Sequence, residues 1–158
     1  MIDVRAATPA DAAALAGLRW EFRAGRDEPV ESRDAFVARC GEWMRRELTA
    51  GEPWRAFVAV DRNRADGAGE VIVGQLWLHL MRKVPNPVGD RERHLYLSNL
   101  YVQPSSRGGA GTILLQKVIE WARANGIDRI VLWPSARSVS LYLRHGFTRE
   151  GEVMELTC

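Results

Sequence analysis

Apolar positions along the chain change period repeatedly, and each change predicts an element. Ile2 and Val4 flank a polar residue and open a short strand. Thr8-Pro9-Ala10-Asp11 then supplies an N-cap residue, a proline for the first turn and an acid at the third position, so a helix starts there. Leu15, Leu18 and Phe22 are its apolar stripe, with Arg19 and Glu21 off it. The charged stretch RAGRDEPVESRD has no periodicity and reads as a loop. Ser32 caps a second helix with apolar positions Phe36, Val37, Cys40, Trp43, Met44 and Leu48, closed by Gly51-Glu52-Pro53. WRAFVAV (54–60) and VIVGQLWLHLM (71–81) are two strands of a hairpin that turns at NRADGAG around Gly67. Gly74 within the second strand predicts a bulge or a close backbone approach. Residues 82–93, with Pro85, Pro87 and alternating charge, form a loop of the length that often carries ligand contacts.

The next run is strictly alternating. Leu95, Leu97, Asn99 and Tyr101 alternate with Tyr96, Ser98, Leu100 and Val102, as in a strand packed on both faces, until Pro104 stops it. Leu114, Leu115, Val118, Ile119 and Ala122 follow at helical spacing and end at Asn125-Gly126. Residues 129–133 are a buried-type strand broken by Pro134, residues 139–144 a short helix ended by Gly146, and residues 153–156 a last strand. The order is a mixed α/β layer fold. Its central strand–helix–strand unit demands a parallel pair with a right-handed crossover, while the hairpin before it is antiparallel.

Composition narrows the classes. The 158 residues suit one domain able to close a core unaided, with 46% hydrophobic and 27% charged residues. No window approaches the ~18 apolar residues of a membrane span. A net charge of +2 with dispersed arginines gives no reason to expect nucleic acid. The N-terminal stretch lacks a basic flank followed by an apolar run, so no secretion signal is expected. Cys40 and Cys158 lack metal-ligand spacing and read as free thiols of a reducing cytoplasm, with no metal expected.

Candidate chemistry gathers between the alternating strand and the helix after it. Arg107, Gly108, Gly109, Ala110 and Gly111 form a bend whose missing side chains let a ligand approach the backbone, while the first free N–H groups of the helix attract phosphate and Arg107 adds a positive charge. A triphosphate P-loop would need Lys followed by Ser or Thr, where this chain has Thr112-Ile113. A dinucleotide fingerprint would need a third glycine where Leu114 stands, and Asp128 precedes the next apolar run instead of ending it.

These residues resemble the GNAT superfamily of acetyl-CoA-dependent N-acetyltransferases. The strand end Val102-Gln103-Pro104, the loop Arg107-Gly108-Gly109-Ala110-Gly111 and the helix residues Leu114-Leu115 match one family motif, and Tyr142-Leu143-Arg144-His145-Gly146-Phe147 matches the other, Tyr-x-x-x-Gly-Phe. The resemblance implies a mixed, mostly antiparallel sheet with a central parallel strand pair, flanked by helices. It implies that amides of Gly108, Gly109, Ala110, Gly111 and Thr112 hold the coenzyme A pyrophosphate. The pantetheine arm would lie along Leu100, Tyr101 and Val102 in a gap between splayed parallel strands, with Ser135 and Ser138 also on the acetyl-CoA side. Ser135 stands where the family often has asparagine, and the glycine loop is one residue shorter than usual. Tyr142 would return a proton to the leaving thiolate.

Where related amine acetyltransferases carry Glu-Asp on the central strand, this chain has Ser98-Asn99, which can orient water but not accept a proton. Candidate bases elsewhere are His79, on the strand face of Gln75 and Trp77, and His94, Glu21 and Glu28. Trp20, Trp77, Trp133 and Tyr96 are candidate linings of an acceptor pocket, with Pro85 and Pro87 a possible wall. Neither cysteine lies in either motif, so direct transfer to a small-molecule primary amine is expected, in a chain able to form a homodimer. A non-catalytic acyl-CoA sensor and a protein N-terminal or lysine acetyltransferase are the alternatives, the loop at 82–93 being expected to obstruct a peptide groove.

Overall fold

The computed structural model describes residues 1–64, 70–89, 92–149 and 153–158. These form strands β1 (Ile2–Ala6), β2 (Trp54–Asp61), β3 (Val71–Met81), β4 (His94–Val102) and β5 (Arg129–Val131), with helices α1 (Ala12–Ala24), α2 (Arg33–Ala50), α3 (Ala110–Ala124) and α4 (Val139–Arg144). They build one sheet in the order β1-β2-β3-β4-β5. The first four strands pair antiparallel, and β4 and β5 are parallel. The hairpin turn expected around Gly67 falls at residues 65–69, outside the described residues.

Both faces of the sheet are covered, which is why β2 reads as a nearly continuous apolar run. Ala56, Val58 and Val60 join Trp77 against Leu15, Ala16 and Met44 of α1 and α2. Phe57 and Ala59 turn the other way, with Leu76, Leu78, Leu95 and Leu97, onto Leu114, Leu115 and Val118 of α3. Each such leucine contributes about 1.5–3 kcal/mol through burial. One amide is buried among them. Gln75 is fully buried, donates to the Leu15 carbonyl at 3.2 Å and accepts from Trp77 Nε1 at 2.9 Å, so it ties α1 to the sheet with its polar atoms engaged.

The start of α1 is pinned differently. Pro9–Asp11 makes a single 3-10 turn ahead of the α-helix. Asp11 accepts from the Thr8 amide at 2.7 Å and from both terminal nitrogens of Arg5 at 2.8 and 3.0 Å. Those bonds, Arg5 foremost, hold its carboxyl below the usual carboxylate range.

Gly74 meets both expectations made of it. The register against β2 skips Val73, passing from Ala59↔Gly74 to Val60↔Ile72, so a bulge precedes the glycine. A Cβ on Gly74 would lie 3.0 Å from Val102 Cγ2 and 3.1 Å from the Tyr101 carbonyl.

Three expectations need correction. The alternation along β4 is not continuous, because a second bulge at Asn99 resets it: Leu95, Leu97, Leu100 and Val102 share the α3 face. β5 stops at Val131 instead of residue 133, since its pairing with β4 ends at Tyr96↔Val131. Residues 153–156 form no strand, and Val153, Met154 and Leu156 are exposed. Four residues of suitable composition make a strand only where a sheet edge accepts their hydrogen bonds.

Gly74→Ala forces a methyl into the β3–β4–α3 contact and should destabilise the fold by about 1–3 kcal/mol in urea unfolding, as overpacking does. Asp11 contributes stability above its unfolded-state pKa and loses it as pH falls through the lower folded value. Asp11→Asn should therefore cost about 1.5–3 kcal/mol at pH 7, the range of hydrogen bonds to charged groups, and flatten the acid side of the stability profile.

Candidate active site

The site begins where two strands part. β4 and β5 pair at only three positions, His94↔Arg129, Leu95↔Ile130 and Tyr96↔Val131, while β4 runs on to Val102. Ser98 to Val102 therefore keep a backbone edge that no strand of the described residues pairs on the β5 side. A cleft of about 900 Å³ opens along that edge, between β4, α1, the start of α3, and residues 132–144.

The bulge in β4 distributes side chains into it. Trp77 pairs with Ser98 and Gln75 with Tyr101, so Asn99 and Leu100 together oppose Leu76. Asn99 takes a left-handed φ of 58°, which asparagine tolerates better than most residues. Leu100 and Val102 stay on the α3 face, whereas Tyr101 reaches Phe22 of α1, with ring centroids 5.3 Å apart. Asn99 Oδ1 accepts from Arg19 Nη1 at 3.0 Å.

At the far end of β4 the chain makes a 3-10 turn at Pro104–Ser106 and enters α3 through Gly109, whose φ of 102° only glycine adopts without strain. The Gly109 amide closes on the Arg107 carbonyl at 2.6 Å, and the first helical bond runs from Ile113 N–H to the Gly109 carbonyl at 3.1 Å. The amides of Ala110, Gly111 and Thr112 precede that bond, so they are the donors the helix start presents. Nothing lies within 4 Å of where a Gly108 Cβ would be, so the bend is open on that side. Arg107 Nε donates to the Val102 carbonyl at 3.4 Å, and Arg137 and Arg144 stand in the same cleft wall without an ion-pair partner among the described residues.

Opposite β4 stand α4 and the segment leading to it. Ser138 Oγ donates to the Ser135 carbonyl at 3.0 Å and lies 3.0 Å from Ser135 Oγ. Its single proton being engaged there, Ser135 Oγ donates to it and keeps its own lone pairs for a ligand donor. Tyr142 is 7% exposed and lines the cleft. Burial pushes its phenol up to about 12, so it is neutral at physiological pH. Gly146, at φ 86°, reverses the chain so that the Phe147 amide bonds to the Tyr142 carbonyl at 3.1 Å and the Phe147 ring braces the phenol at 5.4 Å. That is the physical content of the Tyr-x-x-x-Gly-Phe spacing.

The other sequence candidates divide. Tyr96 and Trp133 line the cleft with their rings 5.1 Å apart. Glu21 is there too, accepting from Gln103 Nε2 at 3.2 Å and facing the Tyr101 hydroxyl at 3.4 Å. His79 is not; it stacks edge-on against Trp54 at 4.7 Å, outside the cleft lining. Trp77 is 2% exposed and belongs to the core with Trp43 and Trp54, and Trp20 packs on Phe36. His94, Glu28, Pro85 and Pro87 also lie outside the lining. What sequence reasoning passed over is basic: Arg19 and Arg23 of α1, and Arg26 in the turn after it, all line the cleft. The four-residue spacing of Arg19 and Arg23 puts those two on one helix face, a signal available in the sequence.

A cleft between diverging parallel strands, with helix amides at one end and a neutral phenol in its wall, suits group transfer from an extended donor that carries phosphate. The sequence profile of the Acetyltransferase (GNAT) family matches residues 18–147, and the chain belongs to that family. None of the curated proteins matches it in sequence. Among solved structures, the fold is similar to that of a predicted acetyltransferase with acetyl-CoA from Clostridium acetobutylicum, at 22% identity and TM-score 0.74 over 99% of this chain and 96% of that one. A transcriptional regulator from Bacillus halodurans C-125 is similar at 20% identity and TM-score 0.73 over 100% of both chains. An aminoglycoside acetyltransferase from an uncultured soil metagenomic sample is similar at 20% identity and TM-score 0.70, over 100% of this chain and 99% of that one. Among the described residues no helix is long and apolar enough to cross a membrane.

The two bend glycines should respond differently. Gly109→Ala should lower unfolding free energy by about 1–2 kcal/mol through left-handed strain. Gly108→Val, facing open space, should stay within about 0.5 kcal/mol of the parent in the same denaturation experiment.

Proposed function

We propose that the protein transfers an acetyl group from acetyl-CoA directly to the primary amine of a small molecule. The observation that carries this reading is the free edge of β4, which runs from the amides at the start of α3 to the wall that holds Tyr142. The site fits the donor on its own geometry. Ala110, Gly111 and Thr112 present amides to a diphosphate, Arg107 adds charge, and the space beside Gly108 is one that a side chain would fill. Leu100 to Val102 offer backbone donors and acceptors to an extended chain of amides, and Ser135 Oγ an acceptor from the opposite wall.

Acetyl-CoA supplies the activated acetyl carbon as a thioester. The acceptor enters from the α1 side, where Arg19, Phe22, Arg23 and Arg26 face Tyr96 and the cleft floor. A cleft of about 900 Å³ has room for a small amine beside the donor. The amine must reach the thioester unprotonated, since an ammonium has no lone pair. Ser98 and Asn99 orient the water that takes its proton, and Glu21 is the carboxylate in the lining able to receive it. A bond from nitrogen to the acetyl carbon forms as the carbon–sulfur bond breaks, the electron pair leaves on sulfur, and the second proton of the acylated nitrogen passes to solvent.

Tyr142 acts at that sulfur. A phenol pushed up to about 12 remains protonated throughout the working range. Full transfer to a thiolate of pKa ~8.5 is uphill by roughly 5 kcal/mol, so its contribution is a donated hydrogen bond that strengthens as charge builds, the thiol's proton coming from solvent. This reading replaces outright proton donation with stabilisation of the leaving charge. Neither Cys40 nor Cys158 lines the cleft, in keeping with direct transfer.

Tyr142→Phe should lower kcat about 10²–10³-fold, the cost of one donor at a developing charge, while calorimetry shows acetyl-CoA affinity unchanged. Because the phenol ionises near 12, the parent's rate should show no alkaline decline below about pH 11 that disappears in the variant. An unchanged kcat, or a Tyr142-dependent decline at lower pH, would remove the phenol from the reaction.

A further inference from the structure

We infer that the acceptor amine carries an oxyanion, a carboxylate or a phosphate-type group, and that Arg19 selects for it; the inference rests on the transferase reading above. α1 brings Arg19 and Arg23, and the turn after it Arg26, to the acceptor side of the cleft, where Glu21 is the one carboxylate among the described lining residues. The three differ in what already holds them. Arg23 pairs with Asp27 at 3.1 Å, Arg26 lies over the Phe22 ring at 4.4 Å from its centroid, and Arg19 lies 5.7 Å from the same centroid. Arg19 is half-buried, bonds the Asn99 side chain through Nη1, and has no carboxylate within ion-pair distance among the described residues.

That combination is unfavourable unless a ligand completes it. A guanidinium withdrawn from water without a counter-charge costs free energy, and burial together with Arg23 pulls the Arg19 pKa down. One arm of the fork is fixed by Asn99, the residue whose left-handed backbone forms the bulge beside the free edge. Its remaining N–H groups are therefore pre-aimed, and a planar fork matches a carboxylate or phosphate with two parallel hydrogen bonds. The site is separate from the one offered to the donor's phosphates: Arg107 stands at the glycine bend, while Arg19 reaches the middle of β4 from the helix on the opposite sheet face.

The charge also states what the cleft rejects. An acceptor bearing several ammonium groups would meet three guanidinium groups against Glu21 and the Asp27 already paired with Arg23, a repulsive balance. An amine with an anionic group nearby is the acceptor the charges complement.

The test compares kcat/KM, with acetyl-CoA as donor, for matched amines: an α-amino acid, its primary amide, the corresponding decarboxylated amine, the aminoalkylphosphonate, and a polyamine. The parent should prefer the anionic members by about 100-fold, with the carboxylate and phosphonate arms separating the two sources of oxyanion. Arg19→Met should abolish that preference, chiefly through KM, and Arg19→Lys should keep part of it. Acetyl-CoA affinity measured on each variant reports an intact fold. A parent that prefers the neutral or polycationic amines overturns the inference, as does an Arg19→Met variant that lowers all amines equally, the signature of a purely structural arginine. Failure of acetyl-CoA to bind the parent would instead strike the transferase reading itself. If acetyl-CoA binds and no amine turns over, titrating the same amines into the coenzyme A complex reads the preference directly, and equal affinity for anionic and neutral members overturns it.

Discussion

β4 has two neighbours and keeps only one of them along its whole length. Antiparallel hydrogen bonds to β3 hold it from His94 to Val102, whereas the parallel bonds to β5 end at Tyr96. A strand with one side anchored and the other released exposes a row of backbone donors and acceptors inside a covered sheet, a place where unpaired amides would otherwise be a liability. The bulge at Asn99 works at the same point. By inserting one residue it returns Leu100 and Val102 to the α3 face and turns Ser98 and Asn99 toward α1, so that core and cleft are built from one short run.

The elements around that gap are held by contacts that are individually modest and mutually dependent. Gln75 fastens α1 across the sheet, and the missing side chain at Gly74 lets α3 and β4 close on β3. Gly109 turns the chain into α3, and Gly146 folds Phe147 back on Tyr142. Gly109 presents helix amides to the cleft, and Gly146 sets the ring that braces the phenol. Charge is arranged on the same plan, with arginines at the bend, in the α4 wall and along α1. A cleft so weighted toward cations draws anionic molecules before any specific contact is made.

Much of this was legible in the chain. The switch from alternation to helical spacing after Pro104 located the glycine bend, and the Tyr-x-x-x-Gly-Phe spacing located Tyr142, because both are local patterns whose meaning lies within a few residues. Glu21, Tyr96 and Trp133 were among several candidates that only distance could sort. His79 and Trp77 have the composition of site residues, yet Trp54, on the neighbouring strand, holds the first, and the tryptophan cluster under α2 buries the second. Arg19 drew no attention because it lies off the apolar stripe of α1, where a charged residue is ordinarily solvated.

The sequence by itself determined the element order, the parallel unit around α3, the glycine bend at the start of that helix and the position of the phenol, since each follows from short-range periodicity, capping and glycine placement. Only the tertiary structure decided which β4 side chains face which layer, where β4 and β5 part, and that residues 153–156 are not a strand. Those outcomes depend on register and on the availability of a pairing edge, which are set by hydrogen bonds between segments far apart in the chain. A one-residue bulge reverses every face after it, and nothing in an alternating run of apolar and polar residues announces where the count will slip.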